Sequence, residues 1–266
     1  MTTHHGLSRF DQYIQACLRG EGANAGPPPQ TLGRLKPATP VRISNIEHDD
    51  VVHALTDLAN EMKATNNVNG PADAGMTFLG QFIDHDVTLD ATSALGTRID
   101  PATIPNIRTP ALDLDCVYGD GPEASPHLYG AGEADHFLMF GRKDNPLDLA
   151  RTCAGKALIG DPRNDENIIV AQVQGVFIQL HNILMSKLKD EPATAKIIHD
   201  CARDGINPKV WDDHVKTKMI GFEEVRRFIR LHYQWIVWNE FLPAFVDQAC
   251  LDRAMLEHIF PHAPIM

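Results

Sequence analysis

The stretch Gly80-Gln81-Phe82-Ile83-Asp84-His85-Asp86 sets an imidazole between two carboxylates, with an amide one helical turn before it. On a helix Gln81 and His85 lie four residues apart and project from one face. Asp84 and Asp86 cannot point where His85 points and must serve other neighbours. The same residues also read as a polar helix end with an exposed histidine. A metallohydrolase site using all three as ligands to one metal is poor geometry, because consecutive helical residues diverge by about 100°.

Two later stretches carry oxygen donors and a cation. Thr109-Pro110-Ala111-Leu112-Asp113-Leu114-Asp115 reads as an extended loop in which Thr109, Asp113 and Asp115 face one side, with the Ala111 carbonyl between them. Hydroxyl, carboxylate and carbonyl oxygens are what calcium takes, and Asp86 can complete the set from the helix end. A solvated acidic loop is the alternative. Gly160-Asp161-Pro162-Arg163-Asn164-Asp165-Glu166-Asn167 leads into an apolar helix. Acidic residues suit a helix start, whereas Arg163 does not. It either bonds a local carboxylate or is held out to polarise an anionic ligand.

The elements that position these residues are helical. A helix starts near Asp49-Asp50 and carries Val51, Leu55, Leu58, Ala59 and Met62 at helical spacing. The spacing predicts a second helix over about Met76–Asp86, a third from Val173 to Leu188, and a fourth from Phe222 to Leu242, ended by Pro243. On the fourth, His232 falls on the apolar face with Val225, Ile229 and Ile236 and reads as a satisfied core histidine. Ala91 to Pro146 is rich in Pro, Gly and Asp and predicts long irregular loops. No alternating strand pattern occurs. The fold class is mainly α, with little β. Residues 1–47, with Gly26-Pro27-Pro28-Pro29, read as an N-terminal arm that precedes the regular structure of 48–266.

Composition narrows the classes. The chain of 266 residues has 24 Lys plus Arg against 35 Asp plus Glu, a formal charge of −11. A surface this acidic repels phosphate backbones, so no nucleic acid is expected as a partner. Cations are better guests. Five widely spaced cysteines without a Cys-x-x-Cys pair support neither a disulfide framework nor a cysteine zinc site. No run approaches 18 apolar residues, so no transmembrane segment is expected. Met1–Gly20 shows no signal-peptide core, which makes the cytoplasm the default location and leaves export open.

In this order, the three stretches resemble the animal-type haem peroxidase superfamily, which has bacterial members. Val117-Tyr118-Gly119 and His181-Asn182 add to the match, and Leu231-His232-Tyr233-Gln234-Trp235-Ile236-Val237 with Phe241-Leu242-Pro243 looks like the bacterial members. The resemblance covers roughly residues 48 to 250. It implies that His85 is the distal histidine, Arg163 the distal arginine, and Gln81 the residue holding distal water or halide. It implies ester bonds from Asp84 and Glu166 to haem b, and Ca2+ held by Asp86, Thr109, Ala111, Asp113 and Asp115. Many relatives have serine where Asp115 stands. Hydrogen peroxide and a small organic or halide reductant are the implied substrates.

The family's proximal histidine lies in an Arg-aromatic-Gly-His pattern, which this sequence does not contain. The primary expectation is therefore a distal half whose proximal histidine comes from a complementing chain or from residues of a longer gene product. Such a chain would expose apolar helix faces and pair or aggregate. A non-catalytic calcium-binding remnant acting as an interaction protein, and a fatty-acid dioxygenase-like member of the superfamily, are the alternatives.

Overall fold

The computed structural model describes residues 48–63, 70, 72–90, 104, 106–109, 111–134, 136–206 and 220–256. The reading of 1–47 as an arm lies outside them, as do His258 and His262. Among the described residues there is no strand, only the isolated bridges Tyr129↔Leu138, Phe140↔Leu149 and Arg151↔Ala157. The mainly α class is what the molecule shows.

The first helix, α1 (His48–Glu61), begins at the acidic pair Asp49 and Asp50 but buries none of its residues; Leu55, Leu58 and Met62 face outward. Its period is helical, yet its apolar face has no buried contact. Helix α2 (Ala74–Val87) buries Phe82, His85 and Asp86. It stops where Thr88 turns back, its N–H and its hydroxyl both donating to the Asp84 carbonyl.

The described residues of Ala91–Pro146 are largely irregular, as expected, but include short helices, α3 (Asp115–Tyr118) and α4 (Gly121–Ala124), and 3-10 turns at Pro126–Leu128 and Gly132–Ala134; a further 3-10 turn follows at Pro162–Asp165. Helix α5 (Ile168–Asp190) starts earlier than its hydrophobic period suggests. Asn167 caps it, its side-chain oxygen accepting from the Val170 N–H at 3.0 Å. Helix α6 (Pro192–Arg203) was not anticipated. It buries only Ile198 and Ala202, too sparse a stripe to read in advance.

Helix α7 (Ile220–Ile236) does not run on to Pro243. It relaxes into a π turn at Val237–Phe241, and Pro243 sits in the first turn of α8 (Leu242–Phe245), where its missing N–H costs nothing. Helix α9 (Gln248–Leu256) follows. A second correction concerns His232, which is exposed, its ring against Phe228 and its Nδ1 on the Phe228 carbonyl. The buried stripe of α7 runs through Phe222, Val225, Arg226, Ile229, Arg230 and Tyr233, one position away from the predicted face.

Two aromatic clusters fix the helices. Phe82 of α2 stacks on Phe177 of α5 at 5.1 Å, and Tyr233 of α7 meets both edge-on at 6.1 and 5.6 Å. Beyond it, Tyr118, His181 and Phe222 close mutually at 5.3 to 6.1 Å. Burial of His181 pushes its pKa down to about 4, so it stays neutral while bonding the Tyr118 hydroxyl and the His136 carbonyl.

Among the described residues, α5 alone is long and apolar enough to cross a membrane by length and composition, which the sequence did not suggest. Its polar residues are used internally: Gln174 and His181 are buried and bonded, and Asn182 bonds the backbone of Leu138 on both sides. Cys116 is a buried thiol, Cys153 and Cys250 are exposed, and none of the described cysteines is in a disulfide.

Candidate active site

The C-terminal half of α2, the 109–115 loop and the Pro162–Asp165 turn converge. The close approach depends on two glycines. A Cβ at Gly160 would lie 2.5 Å from the Asp115 carbonyl oxygen and 2.7 Å from that of Cys116. A Cβ at Gly80 would meet the Phe241 ring at 2.9 Å, so the π turn packs directly on α2.

His85 is buried, and its Nδ1 lies 2.7 Å from Asn164 Oδ1. Which tautomer this enforces follows from a chain of bonds ending at a group with no choice of role. Gln174 Nε2 donates to the Cys116 carbonyl at 3.2 Å, leaving Gln174 Oε1 to accept from Asn164 Nδ2 at 2.8 Å. Asn164 therefore turns its oxygen toward His85, whose Nδ1 must carry the proton. In the neutral ring this leaves the lone pair on Nε2.

Arg163 bonds a local carboxylate, one of its two sequence readings, through only two of its three nitrogens. Its Nε and Nη2 grip the Asp161 carboxylate at 3.0 and 2.7 Å, and Nη2 also donates to the carbonyls of His85 and Thr88 at the end of α2. Those carbonyls sit at the negative pole of the helix, so the cation that looked misplaced at one helix start serves another helix's end. Its Nη1 has no partner among the described residues. Burial works against the charge on Asp161, but bonds from Arg163 and Arg108 outweigh it and hold the carboxyl below its ordinary value.

Gln81 and Asp84 stand on the same helix. Gln81 Oε1 accepts from Asn167 Nδ2 at 3.2 Å, which ties α2 to the start of α5. Asp84 and Glu166 are exposed, and Ile168 and Ile169 beside Glu166 are exposed apolar surface. Asp84 Oδ1 accepts from the Thr88 hydroxyl at 3.3 Å, and the Glu166 carboxylate stands beside the exposed apolar surface.

Asp86, Asp113 and Asp115 are fully buried, each offering an oxygen within 4.8 Å of the others. The loop is not extended as expected. Leu112 and Leu114 hold φ of 53° and 61°, left-handed values uncommon for leucine, and these kinks gather the acids. Thr109 Oγ1 donates to Asp113 Oδ2 at 2.7 Å, and the Leu114 N–H to Asp86 Oδ2 at 3.2 Å. The Ala111 carbonyl accepts from Gln234 Nε2 of α7 at 2.9 Å.

Oδ1 of Asp86, Oδ1 of Asp113 and both oxygens of Asp115 are buried without a hydrogen bond, Asp115 Oδ2 being ion-paired with Arg108 at 3.1 Å. The Tyr233 hydroxyl is likewise buried and unbonded, near enough to Asp86 and Asp113 to feel their charge. Burial raises the pKa of all three acids, and their mutual repulsion adds to it at Asp113 and Asp115; the latter is pushed up to about 7 although Arg108 pulls it down. Buried oxygens without donors are what a divalent cation satisfies, so the donor set fits Ca2+.

The sequence reading missed Asn164 and Gln174 as orienting groups, and Arg108, Tyr233 and Gln234 around the acids. Gln174 had a signal, an amide on the apolar face of α5. The others are joined to the site only by folding.

A family model for animal haem peroxidase matches residues 90–259, more than half of the chain. The chain belongs to the animal haem peroxidase family. The Gly80–Asp86 stretch lies just upstream of the matched residues. No curated protein and no solved structure gives a match.

Proposed function

We propose that this chain carries the distal side of a haem peroxidase, reducing hydrogen peroxide at the expense of a small organic or halide substrate. The carrying observation is the bond chain Cys116–Gln174–Asn164–His85, which leaves Nε2 as a base facing away from its own support. His85 accepts a proton from peroxide at Nε2 and returns it to the departing oxygen. Arg163, braced by Asp161 and the end of α2, offers Nη1 to the developing negative charge. Gln81 keeps a distal water or halide in register. Asp84 and Glu166 hold haem b by its edges, and when bound it supplies the iron at which the O–O bond is cleaved. Asp86, Thr109, Ala111, Asp113 and Asp115 hold Ca2+, fixing α2 against the loop. No Arg-aromatic-Gly-His pattern occurs among the 266 residues, and in this reading a histidine from a complementing chain or a longer gene product would hold the iron.

A second reading, a calcium-binding remnant without catalysis, draws support from the orphaned acid oxygens alone. One experiment separates the two. The chain is titrated with haemin in calcium, with free imidazole standing in for the axial ligand, and peroxide-dependent phenol oxidation is followed. The expected outcome is saturable uptake near one haem per chain and turnover that falls about 10²–10⁴-fold in His85→Gln. Absence of specific uptake, or equal turnover in the variant, would overturn the peroxidase reading.

A further inference from the structure

Four charged side chains form an unbroken ladder from the acid cluster to the end of α2. Arg108 Nη1 lies 3.1 Å from Asp115 Oδ2, and Arg108 Nη2 lies 2.8 Å from Asp161 Oδ2. Asp161 in turn is gripped by Arg163, whose Nη2 reaches the His85 carbonyl at 3.0 Å. Arg108 is 8% exposed, and Asp115 and Asp161 are fully buried. Arg163 at the far end is 26% exposed, but the three groups before it are shielded from solvent, so a change of charge at Asp115 is carried to Asp161 with little screening.

We propose that Arg108 is a positioning residue that makes the state of the cation site felt at Arg163, through Asp161. The inference rests on the calcium site of the proposed function but not on haem. A cation drawn in by Asp86, Asp113 and Asp115 competes with Arg108 for Asp115. Arg108 then leans toward Asp161, and Asp161 divides its two oxygens differently between Arg108 and Arg163. A serine at position 115 would give no anionic partner for Arg108, so this coupling belongs to the aspartate that stands here. Lysine cannot replace Arg108, because a point charge cannot fork between two carboxylates as a guanidinium does.

The test uses the whole chain without haem, labelled with 15N-arginine. Terbium serves as a luminescent stand-in for calcium, and Arg163→Lys assigns the Arg163 Nε–H signal. The expected result is a shift of that signal with the same midpoint as the terbium luminescence. The shift is lost in Arg108→Lys and in Arg108→Gln, while terbium still binds to both. Arg108→Gln decides the matter should Arg108→Lys fail to fold. If terbium saturates wild type while the Arg163 signal stays still, the coupling is wrong and the calcium site stands. If the shift persists in both variants, the path runs through the His85–Asp86 backbone and Arg108 has no such role. If terbium does not bind at all, the calcium site and the coupling fall together.

Discussion

Asp113 is the residue on which the cation reading bears most heavily. Burial holds its carboxyl well above the ordinary range, and the neighbouring Asp115 and Asp86 push the same way. A folded-state pKa above the unfolded value of about 3.9 gives a contribution to stability that is fully present below about pH 4. It is lost as pH rises through the folded value, about 7 for Asp115. Calcium takes the place of those protons, so the calcium-induced rise in melting temperature should grow between pH 5 and pH 8. At a hundredfold excess over Kd the rise is about 5–10 °C for a domain of this size. Thermal melts with and without calcium across that range check it. Asp113→Asn should remove most of the effect, and a rise unchanged by pH or by the substitution would refute the assignment.

At the scale of elements, the site depends on how closely the Gly160 strand of chain passes the backbone of α3. A methyl group at Gly160 would fall within 2.5 to 2.9 Å of the Asp115 and Cys116 carbonyl groups, where nothing flexible can give way. Gly160→Ala should therefore cost about 1–3 kcal/mol by denaturant unfolding and weaken terbium binding at the same time. Ordinary stability with intact binding would show that the two segments can separate. Helix existence was legible in the sequence wherever the apolar period was long, as in α2, α5 and α7. Helix α6 was not, because only Ile198 and Ala202 are buried on it. His232 was placed one position off because apolar spacing cannot tell which edge of a stripe turns inward when Arg226 and Arg230 are also buried.

At the scale of the whole molecule, α5 exposes Ile169, Val176, Leu180 and Ile183 at helical spacing. The chain also carries a net charge of −11, which keeps copies apart at low salt. Raising salt shortens the Debye length from about 10 Å at 0.1 M to about 3 Å at 1 M and strips that protection. Sedimentation velocity should then show self-association increasing with sodium chloride, and Leu180→Glu should suppress it. Association that weakens with salt would instead indicate charge pairing between copies.

By itself the sequence determined the family resemblance, the mainly helical class and the residue types of the candidate site, because those are local properties of spacing and side-chain chemistry. His85, Arg163 and the acids could be named from three short stretches. Only the tertiary structure decided how they are held. The left-handed backbone at Leu112 and Leu114, the proton position on His85 and the ladder through Arg108 each require at least one contact between groups far apart in the chain, such as His85 with Asn164 and Arg108 with Asp161, or a conformation that leucine rarely adopts alone. A hydrogen bond or ion pair across such distances is a product of packing, and no periodicity in the chain records it.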